Sequence, residues 1–221
     1  MGPELKMNIN FCTVIDMNDR VKMLEDLKRE RRLYNSSWMN KQTEVGDFTY
    51  ADHPHIWTWD NTTKLHIGKF CSIGANVQFL LGGEHHTEWV TTYPFNVLLP
   101  TMCMNEEKVA KSKGDICVGN DVWIGNNVTI LSGSYIPSGT VIGNNSLVTS
   151  SSQLRAYKVY GGVPVQEIKD RFGYDPNTLY EIVMMHWWNW PLEKLADALP
   201  LLCSNEYTKL IEFNKNWKPN I

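Results

Sequence analysis

Long apolar runs are missing from this 221-residue chain, and no stretch approaches the roughly 18 consecutive apolar residues that suggest a membrane span. Met1 to Phe11 holds Glu4, Lys6 and two Asn residues where a secretory leader would need its apolar segment, so the expected location is the cytoplasm, with no membrane partner. A basic excess is missing too. The 21 Lys and Arg against 24 Asp and Glu give a net charge of -3, which argues against a molecule-wide grip on nucleic acid. Cysteine is scarce and unpaired in pattern: Cys12, Cys71, Cys103, Cys117 and Cys203 are odd in number and never form C-x-x-C, which argues against a disulfide scaffold or a structural zinc site. The six histidines include no H-E-x-x-H, His53-Pro54-His55 reads more plainly as a polar turn than as a ligand pair, and no metal is expected. No Gly-x-Ser-x-Gly nucleophile elbow occurs.

What the chain has instead is a repeat of period six. Val118, Ile124, Ile130, Ile136, Ile142 and Val148 stand six apart without a slip, and Ile67, Ile73 and Phe79 repeat the spacing earlier. Neither the helical period of 3.6 nor the strand period of 2 demands it. Each aliphatic residue is commonly followed by Gly, with a small or β-branched residue four positions on, as at Val122, Val128, Thr140 and Ser146. A six-residue unit cannot bury its own aliphatic side chain, so neighbouring units must share a core. Three short strands with turns between them make one triangular coil, and stacked coils make a parallel β-helix. The hexapeptide kind is left-handed, an exception to the usual right-handed crossover.

The expected architecture is therefore mostly β, with the β-helix core at 45-172, an extension at 1-44 and a helical extension at 173-221. Loops near 51-64 and 80-113 interrupt the rhythm. The first contains Pro54, Trp57 and Trp59; the second contains GGEHHTEWVTTYPFNVLLP. Their aromatics read either as function-bearing groups or as anchors that pin a long loop. Residues 19 to 34 place Val21, Leu24 and Leu27 near one face of a short helix whose later turns crowd Lys28, Arg29, Arg31 and Arg32, a run read as a solvated helix end. Asp175-Pro176 opens a second helix and PLEKLADALPLL a third.

His85 and His86 have the most suggestive surroundings, with Gly82-Gly83 before them and Glu88 after. An imidazole, with an ordinary pKa near 6.5, can accept a proton at neutral pH, and one such base suffices when the electrophile already carries a good leaving group. Cys71 and Cys117 lie inside repeat units and read as small packing residues.

VGDFTY at 45 to 50, KLHIGKFCSIG at 64 to 74, TTYPF at 91 to 95, GDICVGNDVWIGNNVTILSG at 114 to 133, GGVPVQEIKDRF at 161 to 172 and WWNWPLEKLADALPLLCSN at 187 to 205 together carry a family resemblance. The sequence resembles the xenobiotic O-acetyltransferases of the hexapeptide-repeat superfamily, the group containing streptogramin A acetyltransferases and hexapeptide-type chloramphenicol acetyltransferases. The resemblance implies a homotrimer with acceptor sites between neighbouring β-helices and acetyl-CoA along the cleft, with no metal required. It maps the catalytic base, first in an H-R-x-[DE] segment, to His85. His86 stands where the arginine is usual, and a one-residue shift of the alignment would give it the role of base; Glu88 is the acidic member, a candidate to orient His85 or the adjacent loop. It also implies acceptor contacts from Tyr50, Tyr93 and Trp123.

The chain departs from the family's pattern at Pro137-Ser138-Gly139, where turn chemistry is kept, and at SSSQLRAYK, 150 to 158, which puts an inherited coenzyme contact there in doubt. Lys158, Lys169 and Arg171 are the candidates for coenzyme phosphates, with a solvated basic edge as the other reading. The expected activity is acetyl-CoA-dependent transfer to a hydroxyl of an antibiotic such as chloramphenicol or a group A streptogramin. The alternative is a sugar, sugar nucleotide or polysaccharide precursor as acceptor.

Overall fold

The computed structural model describes residues 16-103, 110-173 and 175-219. Met1 to Phe11, read above for a leader, Cys12 and the segment 104-109 of the expected loop therefore lie outside the described residues.

Strands β1 (Thr43–Val45), β2 (Tyr50–Ala51) and β3 (His55–Trp57) form the first coil, and β4 (Leu65–Ile67), β5 (Ser72–Ile73) and β6 (Gln78–Leu80) the second. After an excursion, β7 (Ile116–Val118), β8 (Trp123–Ile124), β9 (Thr129–Leu131), β10 (Tyr135–Ile136), β11 (Val141–Ile142) and β12 (Leu147–Val148) supply two more. Every third strand pairs in parallel, giving three faces. Face A runs β1-β4-β7-β10, and face C runs β3-β6-β9-β12. Face B runs β2-β5-β8-β11 and continues into β13 (Lys158–Gly161), which turns back antiparallel as β14 (Gln166–Asp170). The result is a left-handed parallel β-helix with helices at both ends of the chain.

Register turns the six-residue period into three internal columns. Val45, Ile67, Val118 and Ile136 stack on face A. Ala51, Ile73, Ile124, Ile142 and Tyr160 stack on face B. Ile56, Phe79, Ile130 and Val148 stack on face C. Most of these side chains are fully buried, which contributes about 1.5–3 kcal/mol for each large aliphatic. The small residues four positions on fill the corners: Thr49, Cys71, Val122 and Thr140 are all buried in one column.

Two expectations need correction. Residues 51 to 64 are only partly a loop, because His55–Trp57 is a strand paired with β6. Ile56 follows Ala51 by five residues, and Pro54 in the shortened corner hides the period. Cys117 is not core: it is half-buried on the outer side of β7, in register with His66, whereas Cys71 is buried as expected and burial pushes its thiol up to about 12.

At the ridge between faces A and B the backbone is left-handed on every rung: Phe48, Phe70, Asp121, Gly139 and Tyr157 have φ of 65°, 58°, 54°, 72° and 57°. Such a conformation costs an aromatic residue on the order of 1 kcal/mol. Docked helices offset this cost. Phe48 stacks on Phe70 at 4.5 Å, and Phe70 meets Trp187 at 4.8 Å. Helix α1 (Met17–Asn35), capped by Asp16, packs here against α4 (Leu192–Leu202), with Leu24, Leu195 and Ala196 buried between them. Helix α3 (Pro176–Met184), capped by Asp175, and α5 (Tyr207–Asn216), which the sequence pattern did not announce, join the same core around Tyr157. A short helix, α2 (Phe95–Leu98), lies in the excursion between the second and third coils.

The ridge between faces B and C carries Asn76, Asn127 and Asn145, also left-handed, whose side chains bond in a ladder at 3.2 and 3.1 Å. Asn tolerates that conformation better than a branched residue. Back on the ridge between faces A and B, where the usual Asn gives way to Ser138, its hydroxyl accepts the Asn120 N–H at 2.9 Å, as Asn120 itself accepts from Lys69 one coil below. The divergent turn at Pro137-Ser138-Gly139 thus keeps the coil-to-coil hydrogen bond of its own ridge.

Candidate active site

The excursion leaves and rejoins the coil at one point on the ridge between faces C and A. The Gly83 N–H donates to the Lys111 carbonyl at 3.0 Å, and the Lys111 N–H donates to the Glu84 carbonyl at 2.8 Å. Gly83 is left-handed at φ 91°, and a Cβ there would lie 2.7 Å from the Trp59 ring, so Trp59 serves as an anchor under the loop. The Glu84 carboxylate accepts from the buried Ser132 hydroxyl, which itself accepts the Lys113 N–H at 2.9 Å. This clamps the residue immediately before His85.

His85 is exposed, and its Nδ1 lies 2.7 Å from the Thr92 carbonyl oxygen. A carbonyl can only accept, so Nδ1 carries the proton and the neutral ring presents the Nε2 lone pair outward. His86 has a different situation. It is buried, stacks on Trp89 at 3.9 Å, and places Nδ1 2.9 Å from the Glu88 carboxylate. Glu88 also binds Lys111, and that ammonium, the Glu88 backbone N–H and His86 together hold its carboxyl down to about 2. Glu88 therefore contacts His86 and the returning chain at Lys111 rather than His85, and the group against the His85 ring is the Thr92 carbonyl. Trp89 is an anchor in the same packing. Thr92 carries no sequence signal beyond its place beside TYPF.

The three expected acceptor-binding aromatics are all exposed. Tyr93 tilts against Phe95 at 4.8 Å. Tyr50 and Trp123 point outward from face B, in register through Ser72, so two rungs separate them, about 10 Å at the usual strand spacing. Face B is the side of the triangle opposite the ridge from which the His85 loop springs. His85 and Tyr93 thus belong to one edge of the molecule, and Tyr50 and Trp123 to the face across from it.

Of the expected coenzyme cations, two are engaged within the chain. Arg171 donates to the Asp121 carboxylate at 2.7 Å and to the Gly139 carbonyl at 3.1 Å. Burial raises the Asp121 carboxyl, and Arg171 partly reverses this. Lys158 lies between Asp170 and Glu167, which raise its ammonium. Lys169 is exposed on β14, with no ion pair among the described residues.

Two cavities adjoin these groups. One of about 510 Å³ lies at the left-handed ridge, beneath α1 and α4, and Tyr50 and Arg31 line it. Another of about 330 Å³, lined by Thr149, Ser151, Gln153 and Gln166, sits at the terminal coil. No group of three or more His, Cys, Asp or Glu side chains fit to hold a metal ion occurs among the described residues.

Residues 118–155 match the model of the bacterial transferase hexapeptide family, six repeats. A chloramphenicol acetyltransferase of Morganella morganii is 38% identical over 162 residues, covering 72% of this chain and 74% of the relative. One of Klebsiella aerogenes is 37% identical over 201 residues, covering 84% and 92%. A virginiamycin A acetyltransferase of Staphylococcus aureus is 35% identical over 184 residues, covering 77% and 81%. With identity of this extent along a shared β-helix, the chain is an acyltransferase and belongs to the hexapeptide-repeat xenobiotic acetyltransferases.

Proposed function

We propose that this acetyltransferase is acetyl-CoA-dependent and acts on a hydroxyl of an amphipathic antibiotic, chloramphenicol or a group A streptogramin, with His85 as general base. The observation that carries this reading is the contact of His85 Nδ1 with the Thr92 carbonyl oxygen at 2.7 Å. Its Nδ1–H is bound by the Thr92 carbonyl, and its Nε2 lone pair is presented from a braced loop. Nε2 takes the hydroxyl proton as the oxygen attacks and passes it to the departing thiolate. Acetyl-CoA supplies the activated acyl group, so no covalent enzyme intermediate is needed. Cys71 is buried with its thiol pushed up to about 12 and is unsuited to nucleophilic attack. Lys169 is the cation with its charge available for the coenzyme phosphates.

The same reading includes a homotrimer with shared sites. Val90, Val97, Leu98, Leu99 and Met102 are exposed in the His85 excursion, an apolar surface that calls for a cover. Because His85 and Trp123 occupy opposite sides of one triangle, a neighbouring copy is the direct way to bring the base of one chain to the aromatic wall of another.

The test is a panel of hydroxyl acceptors with acetyl-CoA, read by thiol release and product mass, alongside light scattering. Turnover of chloramphenicol or a group A streptogramin by a particle about three times the 25.4 kDa chain mass is expected. Turnover of a sugar nucleotide with neither drug acetylated would overturn the acceptor assignment, and a fully active monomer would overturn the shared site.

A further inference from the structure

The basic run on α1 does not end in water throughout. Lys28 and Arg32 both bind Asp47, at 2.9 and 2.7 Å, and Arg29 binds Asp26 at 2.9 Å. Arg31 has no carboxylate partner among the described residues. Its guanidinium lies 5.3 Å above the Tyr50 ring, and it is a half-buried member of the wall of the 510 Å³ cavity. The rest of that wall is mainly apolar: Leu27, Phe48, Phe70, Trp187 and Leu199 contribute, and its other cation, Arg171, is already held by Asp121. An unpaired guanidinium on an aromatic face offers five donors and no acceptor, in a planar fork suited to oxygen pairs.

We propose that Arg31 is a specificity-determining residue of the acceptor site, selecting hydroxyl compounds with an apolar body and a remote anionic or oxygen-rich group. The inference rests on the acceptor role assigned above to Tyr50 and Trp123, and it deepens it. On that reading Trp123 faces the reacting hydroxyl; Tyr50 lies about 10 Å farther along the same face. At Tyr50 the face opens into the cavity, which takes the apolar body, while the planar carboxylate or nitro oxygens meet Arg31. A highly hydroxylated sugar would leave the apolar wall unused and its own donors facing a group that accepts nothing.

The experiment compares three members of the chloramphenicol series, carrying nitro, carboxylate or hydrogen on the aromatic ring, in wild-type protein, Arg31→Ala and Arg31→Lys. In Arg31→Ala, KM for the carboxylate should rise about 10- to 100-fold, the range for a lost charge-assisted hydrogen bond. The nitro compound should show a smaller rise, the hydrogen compound a change within about twofold, and kcat should hold for all three, the pattern of lost uniform binding. Arg31→Lys should recover part of the carboxylate effect and little of the nitro effect, since it keeps the charge and loses the fork. Equal changes for all three compounds, or none, would overturn the role of Arg31. If wild-type protein acetylates none of them, the antibiotic reading fails by itself, and calorimetric binding of the carboxylate compound then decides for Arg31. Weaker binding to Arg31→Ala than to wild type supports it, and equal binding overturns it.

Discussion

Separate replacement of the two adjacent histidines tests the chemistry most directly, because their environments differ so sharply. His85→Gln keeps a side-chain N–H for the Thr92 carbonyl and removes the lone pair at Nε2. Loss of a general base lowers kcat by about 10²- to 10⁴-fold, equivalent to about 2.7–5.5 kcal/mol of transition-state stabilisation. The ring is exposed, so thermal stability should change by no more than about 1 kcal/mol, the typical worth of the one hydrogen bond at risk. His86→Ala should do the reverse. It empties a buried position, removes the stack on Trp89 and unbraces Glu88, for a cost of about 1–3 kcal/mol in stability. Its turnover should stay within about tenfold of wild type, since His86 is buried with its Nδ1 engaged by Glu88. Thiol release from acetyl-CoA measured across pH, with coenzyme binding and thermal unfolding for each variant, separates the two. Near-normal turnover in His85→Gln with collapse in His86→Ala would refute the assignment made from the tautomer, and near-normal turnover in both would remove imidazole catalysis altogether.

Trp123→Ala should leave melting nearly unchanged, because the side chain is 57% exposed, while lowering kcat/KM; a drop in melting temperature with unchanged kinetics of the folded protein would make Trp123 a structural shield only. Glu88 has its carboxyl held well below the 4.5 of a free glutamate, so its brace contributes stability above that value, lost as pH falls toward about 2. Amide exchange of the loop, corrected for intrinsic rate, should accelerate in acid for wild type and show no such pH dependence in Glu88→Gln; equal acid response in both would refute the brace. Gly119→Ala would place a Cβ 2.5 Å from the Ser138 backbone nitrogen one coil above, and should cost about 1–3 kcal/mol. That is a fall of about 2–12 °C in melting temperature, and an unchanged value would show that the coils can part at no cost.

The columns of the β-helix were legible because each is written into the chain at one fixed interval, and Ile124 or Ile142 occupies the same environment wherever it recurs. His55–Trp57 was not, since a corner shortened by one residue around Pro54 removes Ile56 from the count. The left-handed ridge was also hidden. Phe48, Phe70 and Tyr157 adopt a backbone that aromatics disfavour, and only the helices docked over them make that conformation worthwhile. Arg171 read as a phosphate ligand because its partner, Asp121, is 50 residues away and no spacing rule connects them. At the site, the position of the imidazole pair was visible in the text, whereas the division of labour between them depends on the Thr92 carbonyl, and a backbone oxygen has no letter in a sequence. Arg31 was indistinguishable from its neighbours until Asp47 and Asp26 were seen to take the others.

The two hydrogen bonds that tie Gly83 and Glu84 to Lys111 give the excursion a property beyond anchoring. The chain departs from the coil and returns to the same spot, so the intervening stretch adds no net displacement to the solenoid. The closing entropy of such a stretch grows only with the logarithm of its length, each doubling costing about 0.6 kcal/mol. The scaffold is therefore nearly indifferent to the length spliced between those residues, and longer or shorter segments can be exchanged there as cassettes while the coil register above and below stays fixed.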